Sequence, residues 1–86
     1  MLVSKPRKVP IGGRNIVGSR IVQIRKAKKI KQKDLVAALQ TRGMDISDTG
    51  MSRLEGQNRL VQDFELPILA QTLGVSVEYL LGLKEE

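Results

Sequence analysis

The apolar residues of this 86-residue chain recur every three or four positions within short segments, several of which end at a glycine. This spacing places apolar side chains on one face of a helix, and no segment shows the strict alternation typical of a strand. The length suffices for one domain only. The sequence therefore predicts an all-α fold with one small core. Its helices are expected over about residues 15–29, 32–40, 47–55 and 63–73, and a last short helix from residue 76.

The predicted helix ends carry residues with known end preferences. Asn15 and Ser47, whose side chains can accept hydrogen bonds from free backbone N–H groups, stand where the first and third helices are expected to begin. Gly43, Gly56 and Gly74 are predicted to end the second, third and fourth helices. Residues 15–83 are therefore expected to form the folded domain.

Positive charge is concentrated in the first third of the chain. Residues 1–33 contain eleven Lys and Arg and no acidic residue, whereas residues 34–86 contain four basic and nine acidic residues. This asymmetry indicates a polyanionic partner, although a basic face that serves only solubility is an alternative. Residues 1–14 combine charges with prolines and glycines and show no periodicity, which predicts a flexible basic arm. This arm either contacts the partner or has no binding role.

The composition excludes several classes of function. The absence of cysteine and histidine excludes disulfides, zinc-finger ligation and thiol or imidazole catalysis, and it suits a reducing cytoplasm. There is no glycine-rich phosphate loop, no secretory signal and no apolar run near the ~20 residues of a membrane span. One Tyr and one Phe argue against the stacking platforms of RNA-binding proteins. We therefore expect a cytoplasmic protein that is not an enzyme and uses no metal or cofactor.

Several short motifs occur in a fixed order. They are GSRI at 18–21, IR at 24–25, QKDL at 32–35, IS at 46–47, MSRLEG at 51–56, LA at 69–70, LGVS at 73–76 and LL at 80–81. Together they resemble the Xre/Cro family of helix-turn-helix repressors of prokaryotes and phages, over about residues 17–82. The resemblance implies a five-helix, lambda-repressor-like bundle. It also implies a transcriptional regulator that inserts its third helix, about 47–55, into the major groove of double-stranded DNA.

The resemblance further assigns roles to individual residues. The positions expected to read base edges are Asp48, Thr49, Ser52 and Arg53. The resemblance implies phosphate contacts at Gln32, Asn58 and Arg59. The other expected phosphate-binding residues are the cap Ser47, the flanking Lys31 and Lys33, and Arg42 in the lengthened turn. Arg25 and Glu55 are expected to form a structural ion pair. Asp48 has an alternative role, which is to interact favourably with the dipole of the third helix.

The chain also departs from the family pattern. Residues 32–47 form a stretch several residues longer than usual, so the second helix or its following loop is extended. Lys31 replaces the customary Ser or Thr cap, and Asp63 or Gln62 is expected to cap the fourth helix.

The expected partner is an inverted-repeat operator bound by a weak homodimer, with half-site centres about 10 bp apart. The alternative is an antitoxin or a protein-interaction adaptor of the same fold, with the C-terminal leucines 80, 81 and 83 as partner surface.

Overall fold

Five short helices make up the computed structural model, which describes residues 12–85. They are α1 (Gly18–Ala27), α2 (Gln32–Thr41), α3 (Asp48–Glu55), α4 (Glu65–Leu73) and α5 (Val77–Leu80). The described residues contain no strand. The predicted all-α bundle is confirmed. Of the arm predicted over residues 1–14, only residues 12–14 lie within the described part of the chain.

One apolar core joins the helices. α3 packs against α1 and α2, and α4 packs against α1, α2 and α5. Residues from every helix contribute, and so does the connection between α2 and α3. The buried members are Val17, Ile21, Ile24, Leu35, Val36, Leu39, Met44, Ile46, Met51, Leu54, Leu69, Ala70, Leu73 and Leu80. Because burial of such side chains is the main stabilising contribution, this core fixes how α3 is presented.

The first helix is shorter than predicted. It begins at Gly18 because the Asn15 side chain caps an irregular turn, in which Oδ1 accepts the N–H groups of Val17 and Gly18 at 3.1 and 2.9 Å. At the other end, α1 stops at Ala27, two residues before the predicted end, and Lys28 is exposed. The Lys28 ammonium still reaches the last turn of α4, where it donates to the carbonyl of residue 73 at 2.6 Å.

The connection between α2 and α3 is fixed by a glycine turn, a buried side chain and a side-chain hydrogen bond. α2 ends at Thr41, and Gly43 follows with a left-handed backbone (φ 91°), as expected of the residue that closes the helix. Met44 is buried, and the Gln40 amide donates to the Ile46 carbonyl at 2.8 Å. The longer stretch noted in the sequence therefore contributes to the core.

The start of α4 differs from the prediction. The helix begins at Glu65, and neither Asp63 nor Gln62 caps it with its side chain, so that expectation is wrong. Instead, Oε1 of Glu65 accepts the backbone N–H of Gln62 at 3.0 Å, which holds the chain before the helix. Phe64 is exposed. Gly74 ends α4 in the left-handed conformation, as predicted.

The last helix begins directly after Ser76, the residue at which it was predicted to start. Ser76 Oγ accepts the N–H of Tyr79 at 3.1 Å, and Leu80 is fully buried. The Arg20 guanidinium lies 5.5 Å from the centre of the Tyr79 ring, which joins α1 to α5 by a cation–π contact. None of the helices in residues 12–85 is long and apolar enough to cross a membrane.

Candidate nucleic-acid interface

The position of α3 is fixed at its start and along its inner face. Ser47 adopts an extended backbone, and its Oγ accepts the N–H of Gly50 at 3.0 Å, which satisfies one free donor of the first turn. Met51 and Leu54 are fully buried. The helix is therefore anchored by one side, and its other side is left for contacts outside the chain.

That outer side carries the predicted base-reading residues. Asp48, Thr49 and Arg53 are exposed, whereas Ser52 is half-buried. The Ser52 hydroxyl lies 3.4 Å from Oε1 of Gln32, to which it donates. Three of the four positions thus project into solvent, and the fourth contacts the start of α2.

An open depression of about 520 Å³ brings the predicted residues of α3 together with those of the following loop. Its lining includes Ser47, Thr49, Arg53, Asn58 and Arg59, which the sequence assigned to base or phosphate contacts, and also Arg14, which it did not. Residues that are far apart in the sequence therefore share one surface.

The predicted ion pair between Arg25 and Glu55 is present. Arg25 donates from Nε and Nη2 to the two carboxylate oxygens at 2.7 and 3.1 Å, and the side chains are only 13% and 8% exposed. Gln32, expected to bind a phosphate, donates from Nε2 to Glu55 Oε1 at 3.0 Å. One of the two N–H donors of its side-chain amide is thus used inside the protein, and Glu55 links the end of α3 to both α1 and α2.

The N-terminus of α2 offers backbone donors and charge. The Lys31 side chain makes no capping hydrogen bond, and the first N–H groups of a helix have no partner within it. Lys31 and Lys33 are both exposed on either side of Gln32. Arg42 is also exposed but lies beyond the opposite end of α2, about 15 Å away along a ten-residue helix. It therefore does not share the cluster at residues 31–33.

Arg59 has a partner that the sequence did not reveal. Its Nη1 and Nη2 atoms donate to the two carboxylate oxygens of buried Glu65, each at 3.1 Å. Burial raises the pKa of Glu65, but the hydrogen bonds from Arg59 and the Gln62 N–H, with the charge of Arg59, outweigh it. The pKa therefore lies below its ordinary value of 4.5. A spacing of six residues across a loop carries no periodic signal, so this pair could not be read from the sequence.

Residues 12–15 lie against the loop that follows α3. Gly12 and Arg14 donate their backbone N–H groups to the carbonyls of Gly56 and Gln57 at 2.8 and 2.9 Å. The loop turns at Gln57, whose φ is 63°, while Gly56, expected to end the helix, is the last residue before that turn (φ −84°). The end of the predicted arm is thus attached to the domain.

The surface around α3 therefore combines an anchored helix, a cationic α2 N-terminus and a loop bonded to residues 12–15. No protein-family model, curated protein or solved structure matches the chain.

Proposed function

We propose that the chain is a sequence-specific double-stranded DNA-binding protein and a transcriptional repressor of the Xre/Cro helix-turn-helix type. The orientation of α3 is the observation that supports this best. Met51 and Leu54 are fully buried on one side, while Thr49 and Arg53 are exposed on the other. A helix held in this way has the shape and the exposed donors and acceptors required in the major groove.

Base recognition is assigned to the exposed side of α3. Arg53 offers two parallel donors to O6 and N7 of guanine, and the Thr49 methyl group suits a thymine methyl. Asp48 either accepts from a cytosine N4 amine or interacts with the dipole of α3. Ser52 donates its hydroxyl proton to Gln32, so it faces a base as an acceptor.

Phosphate binding is assigned to the two ends of this surface. Lys31 and Lys33, with the backbone N–H groups that begin α2, suit one phosphate position, and Asn58 in the loop after α3 suits another. Arg59 contributes less than expected because Glu65 neutralises its charge. Phosphate binding and base recognition are therefore assigned to different structural elements.

The assembly that we propose is a weak homodimer on an inverted repeat in a prokaryotic cytoplasm. Two copies of α3 would then enter successive major grooves about 10 bp apart. Footprinting tests this directly, because a dimer protects two symmetric half-sites and a monomer protects a single asymmetric one.

The test of DNA binding has two steps. Selection from random duplexes identifies the preferred site, and titration of that site at rising salt then follows the affinity. We expect log K to fall linearly with log salt, with a slope of about −0.9 per phosphate neutralised. Replacing Arg53 with Ala should cost about 1–3 kcal/mol at one base pair and relax the preference there. Lys84→Ala, a change of one exposed charge near the C-terminus, is the matched control.

The alternative function is that of an antitoxin or protein-interaction adaptor. Leu60 and Phe64, which are 64% and 60% exposed beside the Arg59–Glu65 pair, support a protein partner. Of the C-terminal leucines, Leu80 is fully buried and Leu81 is half-buried, whereas Leu83 is 74% exposed and also supports a protein partner. Absence of binding to any duplex at low salt would favour this alternative over the repressor.

A further inference from the structure

The backbone of residues 12–14 runs beside the loop after α3 and carries an arginine to the candidate surface. The N–H group of Gly12 donates to the carbonyl of Gly56 and that of Arg14 to the carbonyl of Gln57, so the segment is bonded to two neighbouring residues of the loop. The Arg14 side chain is exposed and lines the same depression as Thr49 and Arg53.

Asn15 fastens this segment to the domain. Its Nδ2 atom donates to the carbonyls of Leu54 and Arg59 at 3.1 and 2.8 Å, and its own carbonyl accepts from Nε2 of Gln57 at 2.9 Å. These bonds join residue 15 to the last turn of α3 and to the loop that follows it. The position of the Arg14 backbone is therefore determined by the fold.

Glycine at position 12 is required for the close approach. A Cβ atom there would meet the Asn58 side chain and would lie 2.6 Å from the carbonyl oxygen of Gln57. At Gly13, by contrast, a Cβ atom would have no neighbour within 4 Å. Two adjacent glycines thus differ sharply in whether they tolerate a side chain.

The two arginines beside α3 differ in whether an acidic side chain pairs with them. Arg59, the residue expected to bind phosphate from this loop, is already bonded to Glu65. Arg14 forms no ion pair with any residue of the described chain, 12–85. A guanidinium at the edge of a DNA-binding surface, with no carboxylate partner, is suited to a phosphate oxygen.

We propose that Arg14 is a DNA phosphate-binding residue, and that the pairing of Gly12 and Arg14 with the loop after α3 positions it beside the recognition helix. This inference rests on the proposed function and extends it to a residue of the N-terminal segment. Because phosphates carry no sequence information, Arg14 strengthens binding to all duplexes alike.

The first experiment compares Arg14→Ala with Lys84→Ala by salt titration on the selected duplex and on an unrelated one. Arg14→Ala should lower the salt slope by about 0.9, so the affinity ratio of wild type to variant shrinks about eightfold for each tenfold rise in salt. The loss should be the same on both duplexes. Equal behaviour of the two variants, or a loss confined to the selected duplex, would overturn the role of Arg14.

The second experiment is a double-mutant cycle for positioning. Gly12→Ala should weaken DNA binding without changing the charge. Because its Cβ atom would also displace the Asn58 side chain, adding it to Arg14→Ala should lower the affinity by less than the sum of the two separate losses. Gly13→Ala, the matched control, should bind as wild type does, and thermal melting verifies that each variant is folded. Fully additive losses would contradict the positioning role. If the wild-type protein itself binds no duplex at low salt, the proposed function fails, which is a different outcome from normal binding by Arg14→Ala.

Discussion

Arg25 binds both carboxylate oxygens of Glu55, with Nε 2.7 Å from Oε2 and Nη2 3.1 Å from Oε1. Arg25 also donates from Nη1 to the carbonyl of Ile30 at 3.0 Å, in the turn that leads into α2. One largely buried pair therefore joins α1, the turn before α2 and the end of α3. This arrangement assigns Glu55 to the framework that holds α3 rather than to contacts with a ligand.

Replacing Glu55 with Ala should lower the free energy of unfolding by about 3–5 kcal/mol, because the largely buried Arg25 charge would lose its partner. The affinity for DNA of the protein that remains folded should change less. Thermal melting and titration of the same sample measure both effects. Glu78→Ala, at an exposed position on α5, is the control, and an unchanged melting temperature for Glu55→Ala would contradict the prediction.

Gly18→Ala should destabilise the bundle where α1 meets α3. The added Cβ atom would clash with the carbonyl oxygen of Leu54 and come within 2.9 Å of that of Glu55. We expect a loss of about 1–3 kcal/mol, the usual range for overpacking, measured by urea unfolding. The matched change Gly13→Ala has open space around it and should have little effect. Similar losses for the two variants would argue against a close approach at Gly18.

Ser47→Ala should weaken the start of α3, because the N–H of Gly50 would lose its acceptor. The expected cost is about 0.5–2 kcal/mol. Ser47→Asn keeps an acceptor at the same position and should restore most of the stability. If both variants unfold at the same urea concentration, the hydroxyl group makes no capping contribution.

The contribution of Glu65 should depend on pH. Its pKa is lower in the folded state than in the unfolded chain, so the ionised carboxylate favours folding. This contribution is fully present above the ordinary value of 4.5 and is lost as the pH falls through the lower folded-state value. Urea unfolding of wild type and Glu65→Gln should therefore show a difference at neutral pH that shrinks in the acid range. A difference that stays constant would be inconsistent with the ion pair to Arg59.

Local signals in the sequence were sufficient to predict the bounds of α2, the start of α3 and the glycines at which helices end. The bounds of α2 were predicted to within one residue, and the Ser47 cap and the stops at Gly43 and Gly74 are confirmed. These features depend on neighbouring residues and on the conformational range of glycine, so a short window of sequence contains the necessary information. The start of α1 was missed because Asn15 caps a turn that precedes the helix.

The candidate site likewise contains some features that could be predicted from the sequence and others that could not. The exposed and buried sides of α3 follow from helical spacing, and the pair of Arg25 with Glu55 came from the resemblance. The partner of Arg59 and the attachment of Gly12 depend on where α4 and the loop after α3 lie in space. No local pattern encodes such contacts, because they arise only when distant segments pack together.

The bonds from Asn15 to the carbonyls of Leu54 and Arg59 close loops of 39 and 44 residues. Closing a loop costs entropy that rises with its length, so contacts of this separation form less readily than local ones. Since residues 12–15 lie outside the buried core, we expect them to dock late in folding and to be released early in unfolding. Amide hydrogens at Gly12 and Arg14 should exchange with solvent sooner than those of α3, and a chain caught before this step would present α3 without its neighbouring arginine.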